Sequence, residues 1–210
     1  TSAPETSAPE TSAPSVPTPT TVTVTFEANG GTVGKKSASY NASGVYSSLP
    51  TPTRNGYSFS GWYTARSGGS KVVNGTKIVS PSNHTLYAVW KANSYTVTLN
   101  TNGGSGVPAS VSVTFDSTYG SLPTPTKTGY EFLGWYTSLS GGSLISSGTK
   151  VSTASAHTLY AQWSVISYTL SYNANGGSVS PSSKSVNYGG TYGSLPTPKW
   201  DYHHFEGWYT

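Results

Sequence analysis

A chain of 210 residues has room for two or three small domains. Only 9% of its residues are charged, and Thr, Ser, Gly, Pro and Tyr dominate, which argues against a highly charged, aromatic-poor disordered chain. With no cysteine, a disulfide framework and a thiolate metal site are both excluded, and the net charge of +4 is modest.

That charge is unevenly placed. Lys35, Lys36, Arg54, Arg66, Lys71, Lys77 and Lys91 fall in residues 21–92 against Glu27 alone, while residues 93–210 are balanced. An array that binds nucleic acid repeats its basic face in each unit. This chain does not, so nucleic acid is not an expected partner. No apolar run is long enough to span a membrane. There is no initiator Met and no signal peptide, and a processed product or a fragment is expected.

Residues 1–20 stand apart. TSAPE-TSAPE-TSAP is a five-residue repeat, followed by Ser15-Val16-Pro17-Thr18-Pro19-Thr20. Pro at this frequency forbids regular helix and central strand, and predicts an extended tail or linker. The Ser/Thr/Pro composition is also that of O-glycosylated stalks. Thr1, Ser2, Thr6, Ser7, Thr11, Ser12, Thr18 and Thr20 are therefore candidate O-glycosylation sites, with a plain solvated linker as the other reading.

The remainder is a tandem repeat in strict register. Trp62, Trp135 and Trp208 lie 73 residues apart, as do Asn29, Asn102 and Asn175 of the Asn-Gly-Gly triplets. Leu49, Leu122 and Leu195 of the Leu-Pro-Thr-Pro segments keep the same spacing. The expected divisions are repeat one, 21–92; repeat two, 93–166; and repeat three, 167–210. Repeat three stops after Gly207-Trp208-Tyr209, short of the half that carries Leu-Tyr-Ala-x-Trp in the others. Either the sequence is a window of a longer array, the favoured expectation, or a neighbouring chain supplies the missing strand.

Period-two alternation predicts the first strand of each repeat: Val22, Val24 and Phe26; Tyr95, Val97 and Leu99; Tyr168, Leu170 and Tyr172. Asn-Gly-Gly follows as a turn with positive φ. A second strand holds Ala38, Tyr40 and Ala42, matched by Val111, Val113 and Phe115 and by Lys184, Val186 and Tyr188. A Pro-bounded crossover with room for one short helical turn leads to a third strand at Tyr57–Tyr63. A glycine-rich loop (Gly68-Gly69, Gly141-Gly142) then precedes a last strand at Leu86–Trp90 or Leu159–Trp163. Aromatic and β-branched residues with frequent Gly and Pro make the class β-rich.

Val24-Thr25-Phe26-Glu27-Ala28-Asn29-Gly30-Gly31, Leu49-Pro50-Thr51-Pro52-Thr53-Arg54, Gly56-Tyr57-Ser58-Phe59-Ser60-Gly61-Trp62-Tyr63 and His84-Thr85-Leu86-Tyr87-Ala88-Val89-Trp90 occur in fixed order. This combination resembles the Listeria–Bacteroides repeat family, the internalin B-type repeats, over residues 21–210. The resemblance implies tandem β-grasp-like modules on secreted bacterial surface proteins, acting as stalks or spacers and in some cases as adhesins, with no catalytic residues to carry over. Repeat three departs from the pattern at Trp200-Asp201-Tyr202-His203-His204-Phe205-Glu206, where Tyr202 replaces a Gly. If that Gly has positive φ, Tyr202 is strained.

Candidate chemistry is sparse. His84 and His157 are equivalent but have no Asp, Glu or second His nearby, which favours a structural place at the start of a strand. His203 and His204 with Asp201 and Glu206 form a richer cluster, yet neighbours on a strand face opposite ways, so no metal site is expected. Seven acidic residues leave no repeated carboxylate pair for glycoside hydrolysis. Asn-Gly-Gly lacks the Gly-Lys-Ser/Thr of a phosphate loop. Leu-Pro-Thr-Pro is read as structural, and the sequons at Asn41, Asn74 and Asn83, confined to repeat one, as incidental. Trp62, Trp90, Trp135, Trp163 and Trp208 are either core or a sugar-stacking platform, with core favoured in a chain poor in aliphatics.

The expected function is a non-enzymatic extracellular stalk, spacer or filament component at a bacterial cell surface. The alternative is an adhesin or carbohydrate-binding repeat. No catalytic, cofactor-binding or metal residues and no cofactor are expected. The expected partners are neighbouring repeats or copies of the chain, and, for the alternative, host or cell-wall glycans.

Overall fold

Alternation of Thr with apolar residues produces β1 (Thr21–Glu27), in which Val22, Val24 and Phe26 are buried and the intervening Thr residues are exposed. The structure is a computed structural model that describes residues 20–210. The expected tail, with its candidate sites from Thr1 to Thr18, lies outside the described residues. Contacts divide the chain between Lys91 and Ala92 into two compact units.

The first unit carries repeat one. After β1 come β2 (Ser37–Asn41), β3 (Tyr57–Tyr63), β4 (Lys71–Val72) and β5 (His84–Ala92). They form one sheet in the order β2-β1-β5-β3-β4. β1 pairs antiparallel with β2, and parallel with β5 through Val24↔His84 to Glu27↔Tyr87. The first and last long strands of the repeat are thus central neighbours, closing the module on itself.

Repeat two repeats this in the second unit. β6 (Ser94–Asn100), β7 (Ser110–Thr114), β8 (Tyr130–Tyr136), β9 (Leu144–Ile145) and β10 (His157–Val165) take the order β7-β6-β10-β8-β9. β10 is parallel to β6 and antiparallel to β8, with a register shift between Gln162 and Trp163. Repeat three, also in the second unit, forms the antiparallel hairpin β11 (Ser167–Ser171) and β12 (Ser183–Asn187). Residues 203–209 form no strand. In repeats one and two the strand at that place is bonded to β5 or β10, and residues 167–210 contain no counterpart of those strands.

The β-grasp-like fold implied by the resemblance is overturned. A β-grasp fold requires a helix packed on its sheet, and no described residue is helical. The crossover from β2 to β3 also lacks the short helical turn for which the spacing left room. Its Pro50 and Pro52 remove backbone donors and bias the preceding residues away from helical angles. The segment forms neither helix nor strand and is tied down by a bridge between Thr32 and Thr53.

Each complete repeat has its own core. In repeat one, Val22, Val24, Phe26, Trp62, Leu86 and Ala88 are its centre; in repeat two, Val97, Leu99, Trp135, Val151, Leu159 and Ala161. Trp62 is 2% exposed and Trp135 3%. Their indole N–H groups donate to the carbonyls of Pro50 (2.7 Å) and Pro123 (2.8 Å). The Leu-Pro-Thr-Pro segments are therefore structural: the crossover presents a carbonyl to the buried indole, satisfying its only donor.

Candidate functional site

The second tryptophan of each complete repeat behaves differently. Trp90 and Trp163 sit near the ends of β5 and β10 and are half-buried. Their indole N–H groups donate to Ala28 O (2.9 Å) and Thr101 O (3.0 Å), just before the Asn-Gly-Gly turn. Asn29 and Asn102 each have φ of 50°, and the first glycine of each triplet is also left-handed, as the turn reading expects. The second glycine has another task. A Cβ on Gly31 or Gly104 would come within 2.5 Å of the Trp90 or Trp163 ring, so only glycine lets the indole lie against the turn.

Beside Trp163 is an open cleft of about 470 Å³. Lys127, Tyr130, Phe132 and Trp163 line it together with Ser105 and Thr126. Phe132 lies 5.4 Å from Trp163 and 5.7 Å from Trp135, joining the cleft to the core. The Lys127 ammonium is 4.4 Å from the Tyr130 ring centre and 5.8 Å from that of Trp163, and it donates to Asn102 O at 3.1 Å.

Repeat one repeats the cation, the tyrosine and the aromatic link. The Arg54 guanidinium lies 3.8 Å over the Tyr57 ring and donates to Asn29 O at 3.3 Å, while Phe59 links Trp90 to Trp62. Repeat one adds a second cation: Arg66 reaches Asn29 Oδ1 at 3.2 Å, Glu27 at 3.9 Å and the Tyr87 ring at 5.3 Å. In repeat three, Trp200 stands where Arg54 and Lys127 stand. It stacks flat on His203, with centroids 3.9 Å apart and planes 11° apart.

The remaining sequence candidates make hydrogen bonds within the fold. His84 Nδ1 lies 2.8 Å from Ser82 O and Nε2 lies 2.7 Å from the Tyr46 hydroxyl; His157 repeats this with Ser155 (2.9 Å) and Tyr119 (2.7 Å). A carbonyl facing Nδ1 assigns it the proton, so the tyrosine donates to Nε2. Burial raises the pKa of Tyr40, Tyr46 and Tyr119 above the ordinary phenol value, with Tyr40 adding to the effect at Tyr46. Among the described residues no three of His, Asp and Glu gather as a metal site, and the His203 ring is engaged with Trp200 and Asp201 O. Asn41, Asn74 and Asn83 each accept a backbone N–H, from Ser43, Leu49 and Thr23. The exposed Thr20 accepts from Ala42 N–H through its carbonyl.

Sequence reasoning treated the tryptophans as one class and passed over Arg54 and Lys127. The available signal was a cation three residues before a tyrosine, recurring at the 73-residue spacing.

The Listeria-Bacteroides repeat domain matches residues 23–89, 95–162 and 168–210, and the chain belongs to that family. It is 34% identical over 191 residues to a "Putative Gly-rich membrane protein" of Evansella cellulosilytica, covering 89% of this chain and 21% of that protein. A "Putative membrane protein" of the same organism is 38% identical over 154 residues, 73% of this chain and 22% of the relative. "Internalin H" of Listeria monocytogenes is 35% identical over 141 residues, 67% of this chain and 25% of the relative. The chain thus spans about a fifth to a quarter of the length of these relatives. It is an extracellular repeat segment of a bacterial cell-surface protein. No described helix is long and apolar enough to cross a membrane.

Proposed function

We propose that the repeats take part in adhesion by holding glycans in the cleft beside Trp163 and on the matching surface beside Trp90. The observation that carries this reading is the repetition of one surface in repeats one and two: a half-buried indole, a tyrosine and a cation grouped at the Asn-Gly-Gly turn. Aromatic faces offer apolar area to the C–H face of a sugar, while the adjoining Lys or Arg and Thr supply donors for its oxygens. Glycans of a host or a cell wall are the candidate ligands.

The spacer reading is supported by a different observation. Trp62 and Trp135 are core residues, so each complete repeat is a self-contained domain that adds length. The two readings are compatible, since a spacer that presents a ligand surface in more than one repeat is multivalent. In either reading the Ser/Thr/Pro segment that ends at Thr20 is proposed as an O-glycosylated lead into the array.

The test is a glycan array probed with the whole chain, beside an Arg54→Ala/Lys127→Ala variant of unchanged circular dichroism. Adhesion through the cleft predicts a defined set of retained glycans that the variant loses. Retention of no glycan by the parent chain, or equal retention by both, overturns the cleft and leaves the spacer.

A further inference from the structure

The joint between repeats two and three has no slack. β10 ends at Val165, paired with Tyr130 of β8, and β11 begins at Ser167, paired with Asn187 of β12. Ile166, the one residue between them, continues both ladders. Its N–H donates to Gly129 O at 2.9 Å, and its C=O accepts from Tyr188 N–H at 2.8 Å. Hydrogen bonding therefore runs from one repeat into the next without a free backbone residue, so this joint is not a flexible linker.

A side-chain contact closes the same joint. Gly129 lies in the turn before β8 with φ of 76°, and the Tyr188 ring lies directly upon it. A Cβ at Gly129 would overlap that ring. Tyr188 also meets Tyr130 edge-on, with centroids 6.5 Å apart. Backbone conformation alone does not demand glycine here, because repeat three places Tyr202 at the matching position with φ of 64°. What glycine supplies at 129 is the space for the incoming ring.

We propose that the turn at Gly129 is a docking seat for the following repeat, and that Tyr188, held by the Ile166 ladder, fixes repeat three on repeat two in one orientation. The partner this surface fits is the aromatic residue that ends the first hairpin of the next repeat. The seat is independent of the glycan cleft and holds whether or not any sugar binds.

The chain has no native cysteine, so a single pair of spin labels can be placed cleanly at Ser140→Cys in repeat two and Ser182→Cys in repeat three. Pulsed dipolar spectroscopy of the whole chain then reads their separation. One narrow distance peak is expected for the parent. That peak is expected to be lost in Gly129→Asn, where asparagine tolerates positive φ but its Cβ evicts the ring. It is also lost in Tyr188→Ala, which leaves repeat two untouched. A broad distribution in the parent, or a narrow peak retained in both variants, overturns the proposal.

Discussion

The Trp135 indole N–H donates to the Pro123 carbonyl at 2.8 Å, and the same bond joins Trp208 to Pro196 at 2.8 Å even though repeat three forms no strand there. The bond thus belongs to the crossover and not to the sheet. Trp135→Phe removes the donor to the part-buried Pro123 carbonyl and takes away ring volume from the core, which costs about 2–4 kcal/mol of unfolding free energy. Urea denaturation of the parent and variant checks this, with the midpoint falling and the slope unchanged.

Gly104 admits the Trp163 ring at 2.5 Å from where a Cβ would stand, with Thr126 O at 3.0 Å on the same side. Neither neighbour can withdraw without breaking a bond of the turn. Gly104→Ala is expected to cost about 1–3 kcal/mol by overpacking. The near-ultraviolet circular dichroism of the indole should weaken together with the melting temperature.

Tyr40, Tyr46 and Tyr119 have raised pKa values in the fold because burial disfavours the phenolate. The unfolded chain releases these protons first, so between the ordinary value near 10.0 and the raised folded values the native state binds more protons. Stability is then full below pH 10 and falls as pH rises through that window. Melting curves from pH 8 to pH 11 should show the decline, and Tyr46→Phe/Tyr119→Phe should make it shallower.

Tyr202 has φ of 64° and is fully exposed, so its side chain gains nothing from the fold to offset the strained backbone. Tyr202→Gly should stabilise the turn of repeat three by about 1 kcal/mol. Slower amide hydrogen exchange at His203, whose N–H donates to Trp200 O at 3.1 Å, is the readout.

The Lys127 ammonium faces two rings and donates to one carbonyl at an open surface. Lys127→Ala should change unfolding free energy by less than about 1 kcal/mol. If glycans bind the cleft, the same change should weaken binding by about 1–2 kcal/mol, roughly ten-fold, read by titration calorimetry.

Strands were legible wherever one face is buried. The alternation of Val22, Val24 and Phe26 marks β1, because period two leaves a direct trace in composition, and Tyr57–Tyr63, rich in aromatics, coincides with β3. β4 and β9 left none, being two residues each, too short for any period. The helix of a β-grasp came from the resemblance; the residues left room only for one short helical turn, which the prolines keep from forming. The strain at Tyr202 was readable from its glycine counterparts, Gly56 and Gly129, which have φ of 78° and 76°. The cleft was not readable. Which tryptophan faces inward depends on the crossover carbonyl at Pro50 or Pro123 and on the second glycine of the turn, neighbours distant in sequence.

The contact of Tyr188 on Gly129 joins two unlike surfaces, a turn on one repeat and a hairpin end on the next. It therefore has direction, and no two-fold axis closes it. Duplicating a 73-residue window that spans both Gly129 and Tyr188 would carry both surfaces along, so a gene could lengthen such a series without redesigning a joint. Tyr202 breaks that polarity locally: at the turn of repeat three, an approaching surface meets a phenol where the repeat before it offers bare backbone.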